Sequence, residues 1–145
     1  MKSGQRIMGF DFGLKRIGIA TGNTLTETAQ SLKTLTAKNG VPNWDNIDGI
    51  IQEWRPTCLV VGLPLAMDGT EGKSALAARK FGNKLQSRTG ISIQFVDERL
   101  SSVAADNLLR ESSMGKSITR KRRASRDSLA AELILQTYFE EQRKS

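Results

Sequence analysis

The stretch Met8-Gly9-Phe10-Asp11-Phe12-Gly13-Leu14-Lys15-Arg16-Ile17-Gly18-Ile19-Ala20 decides how the rest of the chain is read. Residues Arg6 to Phe12 and Arg16 to Thr21 read as two strands, and the short Gly13-Leu14-Lys15 connection makes them a hairpin. Asp11 stands inside the apolar run at the strand end, with a glycine close behind it. A buried carboxylate is costly unless a cation, a donor network or a metal answers it. Asp and Gly also favour turns, so the hexapeptide alone fits a turn cap as well as a site.

Working outward, a third strand is expected near Glu27 to Leu35, which makes the opening an antiparallel meander. Pro42-Asn43 starts a helix, with Asn43 as cap and Ile47, Ile50, Ile51 and Trp54 on one face, and Arg55-Pro56 ends it. Thr57 to Leu63 is continuously apolar and β-branched, as in a central strand covered on both faces. The loop Gly62 to Ser74 ends in Gly72-Lys73-Ser74, but a phosphate loop needs glycine where Met67 stands. Ala75 to Arg88 reads as an amphipathic helix with Leu76, Phe81 and Leu85 toward the core, closed by Gly90. Ile91 to Val96 is another strand, running into Asp97-Glu98-Arg99, after which Ser101-Ser102 can cap a helix from Val103 to Arg110. Adjacent strand residues face opposite ways, so Asp97 and Glu98 are not expected to share one site. The last helix is expected from Ser125 to Arg143, with Ala130, Leu133, Ile134, Thr137 and Tyr138 buried and Asp127 in its first turn.

A chain of 145 residues with 38% hydrophobic and 26% charged residues suits a single folded domain, spanning residues 1–145. No run approaches the roughly 20 apolar residues of a membrane span, and Met1 to Arg6 lacks a signal-peptide core, so a cytoplasmic protein without a membrane is expected. The single cysteine, Cys58, excludes an internal disulfide framework and reads as a small core residue. The absence of histidine excludes Ser-His-Asp and Cys-His nucleophile systems and the Cys/His zinc sites. The net charge of +7 points to a polyanionic partner, and it is concentrated. Between Arg110 and Arg126 seven Lys and Arg face the single Glu111, and 111–124 lack apolar periodicity, so a mobile basic loop is expected there.

Three carboxylates then stand out: Asp11 on the first strand, Glu98 at the end of a late strand and Asp127 at the start of the last helix. Oxygen ligands of this kind hold hard cations such as Mg²⁺, and metal-assisted phosphodiester hydrolysis needs no histidine. The motifs Asp11 to Ala20, Gly62-Leu63-Pro64-Leu65 through Asp68-Gly69-Thr70, Asp97-Glu98-Arg99-Leu100-Ser101, and Asp127 to Ala131 through Ile134-Leu135-Gln136 resemble those of the YqgF/RuvX family over nearly the whole chain. The resemblance implies a ribonuclease H-like α/β fold, with a mixed central sheet of an antiparallel three-strand meander plus parallel strands, flanked by helices. It implies a nuclease maturing the 5′ end of precursor 16S ribosomal RNA, with resolution of Holliday junctions as the alternative. It makes Asp11, Glu98 and Asp127 the catalytic, metal-binding carboxylates, with Mg²⁺ or Mn²⁺ as cofactor. Many relatives have Asn where this chain has Ala66.

Candidate nucleic-acid contacts are Lys15, Arg16, Arg99, Arg120, Lys121, Arg122, Arg123 and Arg126, with Arg99 alternatively pairing with Asp97. Few aromatics interleave with the basic run, which suits phosphate contacts better than base stacking. Precursor ribosomal RNA or branched DNA is the expected partner, and a two-fold junction cutter would need a homodimer. A binding module without catalysis would need the basic run but not the carboxylates. An actin-like ATPase needs two lobes, and a kinase reading of Asp11-Phe12-Gly13 lacks its companion motifs.

Overall fold

The computed structural model describes residues 4–100 and 126–144. Its elements are β1 (Arg6–Phe12), β2 (Arg16–Asn23), β3 (Thr28–Lys38), β4 (Val41–Pro42), α1 (Trp44–Trp54), β5 (Cys58–Leu63), α2 (Lys73–Thr89), β6 (Ile93–Asp97), a 3₁₀ turn (Glu98–Leu100) and α3 (Arg126–Lys144). The expected helix from Val103, the basic loop at 111–124 and the Ser125 cap lie outside the described residues.

The strands form one six-stranded sheet in the order β4-β3-β2-β1-β5-β6. β1, β2 and β3 are the antiparallel meander, while β5 and β6 run parallel to β1. The expected mixed sheet is therefore present, with the short β4 added at its edge. Each crossover into a parallel strand uses a helix: α1 between β4 and β5, α2 between β5 and β6.

Side chains of β1 alternate between two cores, because successive strand residues face opposite ways. Met8 and Phe10 pack with Ile17, Ile47, Val61 and Phe81 on the α1 and α2 side. Ile7 packs with Ala20, Val60, Ala131 and Leu135 on the α3 side. α3 comes very close to the sheet: a β-carbon on Gly9 would fall 2.7 Å from Leu135 Cγ and 3.0 Å from the Ala131 carbonyl oxygen.

Local signals account for the helix ends. Asn43 caps α1, its Oδ1 accepting from the Asp45 amide at 3.0 Å, and Arg55 closes it in the left-handed region. Gly90 closes α2 at φ 73°. Two expectations about faces are corrected. Leu76 is exposed, because α2 turns Ala75, Ala78, Phe81, Gly82 and Leu85 inward. On α3 the most buried residues are Ser128, Ala131, Ile134, Leu135, Thr137 and Phe139, while Ala130, Leu133 and Tyr138 are only half-buried, because the helix seats Ala131 and Leu135 on Gly9. Among the described residues no helix is long and apolar enough to cross a membrane.

Candidate active site

The carboxyl ends of the parallel strands β1, β5 and β6 converge beside the antiparallel hairpin, the place where open α/β sheets most often receive a ligand. Asp11 is the penultimate residue of β1, opposite Gly18 of β2, and its side chain is half-buried. β6 ends at Asp97, and the chain turns at once into the 3₁₀ turn, which rotates Glu98 back over β5. Glu98 Oε1 sits 2.5 Å from where a β-carbon on Gly62 would stand, and Ile134 Cδ1 of α3 lies 2.6 Å from the same point. Glu98 is therefore on the α3 side of the sheet, as is Asp11.

The Glu98 carboxyl lies within hydrogen-bonding reach of the Asp11 carboxyl. Burial pushes the Glu98 carboxyl above the ordinary glutamate range; the hydrogen bond with Asp11 opposes this and the charge of Asp97 adds to it. Two acids held together at a partly desolvated strand end are a fitting seat for a hard divalent cation. Asp127 is the second residue of α3, four and seven positions before Ala131 and Ile134, the residues that cover Gly9 and Gly62. Its side chain lies outside what is described, and among the described residues no group of three metal-ligating side chains is assembled.

Asp97 and Glu98 part company as expected. The Asp97 carboxylate accepts from the Arg99 amide at 2.9 Å and from the guanidinium Nη2 at 2.6 Å, and this pairing holds its carboxyl below the usual range. Arg99 also donates from Nη1 to the carbonyl oxygens of Met67 at 3.1 Å and Ala66 at 3.4 Å. One side chain thus straps the 3₁₀ turn to the loop that follows β5. That loop closes on itself, the Thr70 amide and hydroxyl both donating to Asp68 Oδ1 and the Ala66 amide donating to the Thr70 carbonyl. Since Ala66 acts here through its backbone, the loop holds this shape without a polar side chain at that position.

Lys15 and Arg16 are exposed at the β1–β2 turn, next along the chain from Asp11. Arg126 opens α3, and Arg120, Lys121, Arg122 and Arg123 lie outside the described residues. Cys58 is half-buried with its thiol near Tyr138 and Ser92, and burial pushes that thiol up, away from reactivity. The reading of motifs did not pick out Gly62 as the seat of Glu98 or the tie from Arg99 to the loop. A lone glycine in the β-branched run of β5 is the mark of a close approach and could have pointed to the first.

A mixed sheet of this order, with paired acids at the carboxyl ends of β1 and β6, defines a ribonuclease H-like fold of the resolvase type. Two solved structures share the architecture: Thermus thermophilus RuvC in complex with a Holliday junction, at TM-score 0.60 and 14% identity over 97% of both chains, and fowlpox virus resolvase with its junction DNA, at TM-score 0.60 and 11% identity over 94% of this chain and 98% of that one. The chain belongs to the RuvX family, described as Holliday junction resolvase, which it matches over residues 5–141. Relatives carrying the name pre-16S rRNA nuclease include one from Aeromonas hydrophila, 48% identical over 97% of this chain and 98% of its own. Another is from Shewanella denitrificans, 42% identical over 98% of this chain and 99% of its own.

Proposed function

We propose that this chain is a metal-dependent nuclease that hydrolyses phosphodiester bonds, with precursor 16S ribosomal RNA as its substrate. The observation that carries the reading is the hydrogen-bonded Asp11–Glu98 pair over Gly62 at the end of the sheet. The substrate follows the relatives named for it, which cover nearly the full chain. Asp11, Glu98 and Asp127 would hold Mg²⁺ or Mn²⁺. When bound, such an ion activates water and offsets charge on the leaving oxygen. Asp11 and Glu98 supply hard oxygen donors from the end of β1 and from the 3₁₀ turn that follows β6 at once, so the sheet sets where the two acids meet. Lys15 and Arg16 would take phosphates next to the scissile bond, and Arg120, Lys121, Arg122, Arg123 and Arg126 would track the backbone. Arg99, already engaged by Asp97 and the loop, could add a phosphate contact only from its remaining donors. A role on ribosomal RNA goes with a cytoplasmic location.

Branched DNA is the second reading, favoured by the family's description, and it would call for a homodimer to cut symmetrically. Side-by-side incubation of precursor 16S RNA and a four-way DNA junction with Mg²⁺ or Mn²⁺ separates the two. Asp11→Asn is expected to retain nucleic-acid binding while cleavage falls at least about 100-fold, in line with loss of a group acting on the transition state. Cleavage at the wild-type rate by that variant, freed of contaminating nuclease, would sink the assignment.

A further inference from the structure

On the opposite face of the sheet, at the same end of β1, lies a cavity of about 320 Å³ that the carboxylate site does not use. Its walls include Phe12, Leu14, Val41, Pro42, Trp44 and Phe81, with Lys80 and Lys84 at its side, and no acidic residue lines it. The walls are held in place. Phe81 stacks on Phe12 at 5.0 Å and on Trp44 at 5.7 Å between ring centroids. The β1–β2 turn is bonded to the β3–β4 turn, the Gly40 amide donating to the Leu14 carbonyl at 2.9 Å and the Ala37 amide to the Lys15 carbonyl at 2.8 Å. Gly40, at φ 81°, brings its backbone against Phe12 and Leu14 where a side chain would not fit.

One feature singles the cavity out. Leu14 and Val41 are exposed at 60% and 59%, so apolar surface is left open at its mouth. A ligand that suits these walls is compact and apolar and bears negative charge for the lysines.

We propose that this cavity receives an unstacked nucleobase of the nucleic-acid strand whose backbone lies at the Asp11–Glu98 pair, an inference that rests on the nuclease reading. Phe12 and Asp11 are neighbours on β1 with opposite faces, so a strand crossing the end of the sheet reaches both sites. Lys80 and Lys84 meet its phosphates. The Trp44 ring already packs on Phe81 and beneath the Lys84 ammonium, 5.3 Å from its centroid. Recognition is therefore by the shape and apolar walls of the cavity rather than by stacking on the indole.

The test uses a Trp54→Phe protein, which leaves Trp44 as the only indole, and a short single-stranded oligoribonucleotide as probe. Trp44 emission is expected to change saturably on binding, in Asp11→Asn as well. The exposed pair Leu14→Asp and Val41→Asp is expected to abolish that change and weaken binding at least ten-fold. Lys80→Gln with Lys84→Gln is expected to lower the slope of log affinity against log salt by about 1.4. An indole signal that is absent, or that persists in the Leu14→Asp/Val41→Asp protein, overturns the proposal. So does a signal that follows protein concentration without RNA, which would identify a second copy as the occupant. Failure here with cleavage intact removes only this pocket, whereas lost cleavage with the indole signal retained removes only the nuclease reading.

Discussion

Glu98 leans over β5 because residue 62 is a glycine: the space a β-carbon would fill is occupied by the Glu98 carboxyl, 2.5 Å away, and by Ile134 at 2.6 Å. Gly62→Ala should therefore displace both the acid and the helix above it. The expected result is a loss of about 1–3 kcal/mol of stability, the usual cost of overpacking, together with at least a ten-fold fall in cleavage rate. Chemical denaturation and initial rates check the two effects. Full activity in the alanine variant would show that Glu98 is not required in this position.

Metal-free protein should reveal the cost of ionising Glu98. Because burial raises its carboxyl in the folded state, the fold binds more protons than the unfolded chain between the ordinary glutamate range and that raised value. Stability then falls as pH rises through this window. Glu98→Gln is expected to flatten that decline and to raise the neutral-pH melting temperature by about 2–5 °C in chelator. Mg²⁺ should stabilise the wild type but have little effect on the variant; equal stabilisation of both would argue against Glu98 as a ligand.

Arg99 is tied to Asp97 and to the carbonyls of Ala66 and Met67. Arg99→Gln should free the loop after β5, seen as faster amide exchange at residues 66–70, while the salt dependence of RNA binding stays the same. If the salt slope falls by about 0.7 instead, Arg99 holds a phosphate.

Leu135 fills the notch above Gly9 and is fully buried. Leu135→Ala should cost about 2–5 kcal/mol and loosen the helix that carries Asp127. Cleavage is then expected to be lost at a lower temperature than the secondary structure of the sheet, as read by activity and circular dichroism on the same heating series.

The elements that were legible from sequence are those whose signals are local. The β1–β2 hairpin, the Asn43 cap, the Arg55-Pro56 stop and the Gly90 closure depend on residues within a few positions of one another, and each is where the residue types put it. The acids Asp11 and Glu98 were legible as anomalies, charges at the ends of apolar strands, and their meeting follows from parallel β5 and β6. The face of α2 was misjudged because the large Leu76 was weighed above small residues, and that of α3 because the register that seats Ala131 and Leu135 on Gly9 is set by the sheet and not by the helix's own pattern. Gly82, where a β-carbon would meet the Phe95 ring at 2.7 Å, lets α2 approach the sheet and so commits the Ala75, Ala78 and Gly82 side inward, leaving Leu76 outside. The turn at Glu98–Leu100 was hidden for a different reason: beyond the local Asp97–Arg99 pairing it is tied down by Arg99 reaching the carbonyls of Ala66 and Met67 some thirty positions away, which no local pattern records.

The order of strands also carries a timetable. The meander β1 to β3 pairs neighbours in sequence and can form early, whereas β5, β6 and α3 close long loops and so are expected to join late. Asp11 thus waits on a half-built sheet until Glu98 and then α3 arrive. A chain still being synthesised would carry no assembled carboxylate cluster, and an enzyme with this construction acquires its ability to cut RNA only after leaving most of the ribosomal tunnel. Ribosome-bound chains stalled ahead of α3 are expected to be inert toward RNA, and cleavage by them would refute that order of assembly.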